Sequence, residues 1–98
     1  MTVDIKELDG KTVVTVTGEL DSSTSVDFQN ALTPLMDKEG LQVEMDMAGV
    51  DYIASKGLRV VLAVGQSVMR GGGTLKVVNL TPTVREVFDL TGFTAMFL

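Results

Sequence analysis

The chain has 98 residues, 45% of them hydrophobic and 21% charged, with 13 acidic side chains against 8 basic ones and a formal net charge of -5. That is enough for one small packed domain over residues 1–98, and too apolar for a disordered one. With no Cys and no His, disulfides, a thiol nucleophile, the commonest zinc ligands and the commonest acid–base group are excluded.

No Lys/Arg cluster occurs, which argues against direct nucleic-acid binding, because phosphate contacts need a concentrated basic surface. No apolar run has membrane-spanning length. No basic stretch leads into an apolar one near the N-terminus, so no secretory signal is visible and the cytoplasm is the expected compartment.

In chain order, Val3 to Glu7 reads as a strand, and Asp9-Gly10 as a tight hairpin turn. Thr12 to Thr17 alternates, with Val14 and Val16 on one face, and pairs antiparallel with the first strand. Asp21 to Thr24 is a polar lead into a helix. Thr24 with Asp27 mimics a capping box, Phe28, Leu32 and Leu35 form its apolar stripe, and Pro34 falls near its end. Gln42 to Met47 alternates again, putting Val43, Met45 and Met47 on one face.

A turn follows, and then the apolar run Leu58 to Met69, whose length and spacing favour a helix. Ser55 precedes that run, in position for an N-cap. Gly71-Gly72-Gly73 is a stop and turn, not a phosphate loop, because no Lys-Ser/Thr follows it. Leu75 to Leu80 is a strand, Thr81-Pro82 a helix start, Gly92 a helix end, and Thr94 to Leu98 a short last strand. The order is β-β-α-β-α-β-α-β. The three later connections are long enough for helical crossovers between parallel strands, which makes the chain an α/β domain.

Three segments carry a family resemblance. Ile53-Ala54-Ser55-Lys56-Gly57-Leu58 resembles the Asp-Ser-Ser/Thr-Gly-Leu signature of the STAS domain of bacterial anti-sigma factor antagonists. Gly18-Glu19-Leu20-Asp21 resembles the turn before that family's first helix, and Phe88-Asp89-Leu90-Thr91-Gly92-Phe93 its late helix end. The match covers nearly the whole chain. It implies a mixed sheet with the helices mainly on one face. It also implies a protein-interaction switch: an anti-sigma factor, a serine kinase with a histidine-kinase-like ATPase fold, binds the unmodified protein and phosphorylates it on Ser55. The resemblance gives Asp21 a part in the partner surface.

Ser55 is accordingly the candidate phosphoacceptor, with Ala54, Lys56, Gly57 and Arg59 around it. A phosphate there would meet the free N–H groups of a helix start, with Lys56 and Arg59 close in sequence to offset its charge. Without phosphate, both cations sit at the unfavourable end of the helix dipole. Gly57 permits close backbone approach. Two departures stand out: Ala54 occupies the family's aspartate position, and Lys56 its serine or threonine position. They motivate a competing reading, a non-phosphorylated STAS scaffold module in a transport, lipid-trafficking or signalling complex. An enzyme is not expected. Asp46 and Asp51 bracket the turn, but no third clustered acid and no nucleophile–base pair accompanies them. No metal or cofactor site is read, and no polar cluster marks a small-molecule pocket.

Overall fold

A computed structural model describes residues 1–98. Strands β1 (Thr2–Leu8) and β2 (Lys11–Thr17) form an antiparallel hairpin in which Leu8 faces Lys11. The two turn residues between them, Asp9 and Gly10, both have positive φ, 52° and 80°. This backbone matches the twist of the paired strands, and it explains why Asp-Gly signals a two-residue hairpin.

Helix α1 (Ser25–Met36) carries the chain to β3 (Gln42–Gly49), which lies parallel to β2. Helix α2 (Ser55–Arg70) then leads to β4 (Thr74–Val78), parallel to β3, and the sheet order is β1-β2-β3-β4. Helices α3 (Pro82–Thr91) and α4 (Phe93–Phe97) close the chain.

The helices cover one face of this mixed sheet. Val14, Val16, Val43, Met45, Met47, Leu75 and Val77 point into the core and are at most 4% exposed. Their alternates Val13, Glu44, Asp46 and Lys76 stay half-buried or exposed on the opposite face. Phe28, Leu32 and Leu35 of α1 and Val61, Val64 and Val68 of α2 seal the inner side. The spacing of these residues is that of an amphipathic helix, so the alternating strands and the helical stripes name the same core.

The C-terminal segment departs from expectation. Of the residues Thr94 to Leu98, read as a strand, Thr94 to Phe97 belong to helix α4 and Leu98 is its C-cap. Over five residues a period of 2 and a period of 3.6 both put Phe93 and Phe97 on one side, so local pattern does not separate strand from helix. Packing decides. Gly92, at φ 81°, ends α3 in the left-handed conformation and turns the chain back. Phe93 then meets Phe88 edge-on at 5.7 Å and Phe97 at 5.6 Å. Phe97 is 1% exposed and lies where any side chain on Gly65 of α2 would collide with its ring. A strand would pull Phe97 out of that niche.

Candidate functional site

The site forms where β2 and β3 run out at the same edge of the sheet. Their pairing continues beyond the strands. The Gly18 N–H donates to the Gly49 carbonyl at 2.9 Å, Leu20 N–H to Tyr52 at 3.0 Å, and Ala54 N–H to Leu20 at 2.8 Å. An isolated parallel bridge, Leu20 to Ile53, sits inside this ladder, and both side chains are buried. The loop carrying Asp21 and the turn carrying Ala54 and Ser55 are thus stitched to each other by backbone bonds. Gly57 closes the seam: a Cβ there would lie 3.0 Å from both the Leu20 Cβ and the Leu20 carbonyl oxygen, and 3.1 Å from Ile53 Cγ1. The close approach expected of Gly57 is an approach to this bridge.

Ser55 is not the N-cap. It is the first residue of α2, and Ala54, in extended conformation (φ -98°, ψ 173°), occupies the cap position. Alanine has no oxygen to offer, and no side chain caps this helix. The first intrahelical bond runs from Leu58 N–H to Ala54 at 3.0 Å, so the N–H groups of Ser55, Lys56 and Gly57 have no acceptor within the helix. Ser55, Lys56 and Arg59 are exposed. No acid lies in the first turn of α2, and the chain's two ion pairs, Lys6 with Asp4 and Arg85 with Asp89, are elsewhere. The helix start therefore presents a free hydroxyl, uncapped N–H donors and two unpaired cations on one surface, an arrangement that favours an anion.

Asp21 organises its loop. Its Oδ1 accepts from the Ser23 hydroxyl at 2.7 Å, the Ser23 N–H at 2.9 Å and the Thr24 N–H at 3.1 Å. The Ser23 hydroxyl above all, with these backbone bonds, holds the carboxyl below its ordinary value of 3.8, against an opposing push from partial desolvation. The capping box read at Thr24 and Asp27 does not form. Thr24 stands at the cap position of α1 in a helical rather than extended conformation. Its hydroxyl turns back into the loop, accepting from the Asp21 N–H at 3.0 Å and donating to the Glu19 carbonyl at 2.8 Å. The turn role of Asp21 is thus explicit, and all of its carboxylate hydrogen bonds within the chain go to Oδ1.

Asp46, weighed as one of two turn carboxylates, accepts from the Ala48 N–H at 2.9 Å and shapes the end of β3. Two exposed residues stand beside the site: Tyr52, 50% exposed in the turn, and Val26, 64% exposed on α1, which escaped the sequence reading as a surface feature. Val26 had a signal, since it falls off the Phe28, Leu32 and Leu35 stripe and yet is apolar.

The family model for the STAS domain matches residues 2–98. The chain belongs to the STAS domain family. BtrV of Bordetella bronchiseptica, a candidate anti-sigma factor antagonist, is 34% identical over 97 residues, covering 99% of this chain and 84% of its own length. The anti-sigma-B factor antagonist of Bacillus subtilis is 31% identical over 90 residues, 92% of this chain and 82% of the relative. Among solved structures, an anti-sigma factor antagonist from Mycobacterium paratuberculosis superposes with a TM-score of 0.87 at 27% identity, covering 98% of this STAS domain and 81% of that chain. STAS domains of this kind are regulatory, not catalytic. No helix of this one is long and apolar enough to cross a membrane.

Proposed function

We propose that this STAS domain is an anti-sigma factor antagonist of the cytoplasm, a protein-interaction switch governed by phosphorylation of Ser55. Its partner is an anti-sigma factor serine kinase of histidine-kinase-like ATPase fold. The unmodified protein binds that kinase through the surface formed by Asp21, Ala54, Ser55, Lys56 and Arg59, and the phosphorylated protein releases it; Gly57, expected in that surface, is buried against Leu20 and Ile53 and positions it instead. The names carried by its relatives support the antagonist role. The observation that carries the switch is the start of α2, an exposed serine at an uncapped helix N-terminus, flanked by unpaired Lys56 and Arg59. A phosphate there is locally favourable, so modification leaves the fold intact and acts at the partner surface through misplaced charge.

The test uses the anti-sigma factor kinase encoded nearest this gene. With ATP, the protein gains one phosphate, mapped by intact mass and peptide analysis to Ser55. Ser55→Ala blocks that gain and retains binding. Ser55→Asp binds about tenfold or more weakly by calorimetry, the scale of a misplaced interfacial charge. Phosphate only around Ser22 or Thr81 refutes the assignment. Binding without any phosphorylation favours the constitutive scaffold reading, which Ala54 motivates by leaving no acid before the acceptor.

A further inference from the structure

Beside Ser55, a groove of about 320 Å³ runs between α1 and α2. Its apolar part comes from Val26, Val60 and Ala63, with Gln29 from α1 and the cations Lys56 and Arg59 from α2. Val60 is buried, whereas Val26 stands 64% exposed. No carboxylate lines the groove, in a chain with 13 acidic side chains against 8 basic ones. The groove is thus a local inversion of the molecule's charge. Neither cation has an ion-pair partner in the chain. Both lie in the first turns of α2, where the helix dipole disfavours positive charge.

We infer that this groove docks an acidic segment of the anti-sigma factor, with an aliphatic side chain against Val26 and Val60 and carboxylates on Lys56 and Arg59. The inference rests on the antagonist reading above and deepens it. Charge complementarity selects the occupant: an anion meets two unpaired cations and relieves their conflict with the dipole, and the apolar floor calls for a side chain as well as a charge. It also gives the switch a cause. Lys56 is adjacent to Ser55, and Arg59 lies one helical turn beyond it, at the (i, i+4) position. A phosphate on Ser55 competes for the cations that hold the partner's carboxylates, so a single modification both adds charge and withdraws the docking contacts.

The test compares this protein with its Lys56→Glu/Arg59→Glu double variant in binding to the purified anti-sigma factor kinase. A circular-dichroism melt checks the fold, which exposed acids near a helix N-terminus do not endanger. The expected results are at least about tenfold weaker binding for the double variant and affinity of the unaltered protein that falls as salt rises. A carbodiimide, which joins amines to carboxylates only where they touch, should link Lys56 to an Asp or Glu of the kinase. Binding unchanged within twofold in the folded double variant overturns the inference even while Ser55 is phosphorylated. So does a complex in which Lys56 yields no such link. Failure of the unaltered protein to bind or be phosphorylated by the kinase removes the antagonist reading itself, and this inference with it.

Discussion

Helices α2 and α3 begin at the same edge of the sheet, after the adjacent parallel strands β3 and β4, and they begin in opposite ways. At α3, Thr81 is extended and its hydroxyl accepts from the Val84 N–H at 3.4 Å while donating to the Val50 carbonyl at 3.0 Å. Pro82 occupies the first helical position, where the missing N–H costs nothing. At α2, the cap position holds Ala54, no side chain caps, and two cations crowd the turn. One start is capped by a side chain of the chain itself. The other keeps donors and charges free. The α3 start serves the fold, and the α2 start forgoes the local stability that a side-chain cap supplies.

The largest effect should come from breaking the seam that holds the open start in position. Gly57→Val drives a branched side chain into Leu20 and Ile53. It should cost about 1–3 kcal/mol of stability, read by a circular-dichroism melt, with Gly57→Ala intermediate. An unchanged melt would mean that the two loops are not in contact through Gly57.

Exchanging the two caps sharpens the comparison further. Thr81→Ala removes a capping bond and should destabilise by about 1 kcal/mol. Ala54→Asp supplies a missing cap and should stabilise by about 0.5–1 kcal/mol, whereas Ser55→Ala loses no cap and should stay within about 0.5 kcal/mol of the parent. Denaturant melts rank the three, and a large loss at Ser55→Ala would show that the serine is structural.

The smallest effect is an acid one. Asp21 in the first loop and Asp89, which accepts from Thr94 and Arg85, both have carboxyls held below their ordinary value of 3.8 in the folded protein. Between the unfolded and folded values the unfolded chain binds more protons, so stability rises with pH there. The contribution is complete above about pH 4 and is lost as pH falls through the lowered folded values. Melting temperature measured against pH should show this acid limb, and Asp21→Asn should flatten part of it.

Much of this architecture is legible along the chain because the signals are local. Asp9-Gly10 can hardly do other than turn a hairpin, and Thr81-Pro82 with Gly92 marks both ends of α3 by backbone preference alone. The candidate site is less legible. Ser55 reads as a cap from its neighbours, yet it lies inside the helix because Ala54 N–H is drawn to the Leu20 carbonyl, a residue far away in sequence. Thr24 reads as a capping box, yet its hydroxyl is claimed by Glu19 and Asp21. In both cases a long-range or loop contact outbids a local preference.

By itself, the sequence determined the parallel crossovers, the inward row of Val14, Val16, Val43, Met45 and Met47, and the resemblance that points to Ser55, because side-chain period and motif spacing are properties of neighbours along the chain. Only the tertiary structure decided that Thr94 to Leu98 coils, that Asp21 and Ala54 share one seam, and that Val26 meets Lys56 and Arg59 across a groove. Each of these depends on which elements touch: the niche above Gly65 that takes Phe97, the Leu20–Ile53 bridge, and the packing of α1 on α2. Contacts of that kind join residues distant in the chain, and their energy appears only when the layers close on one another.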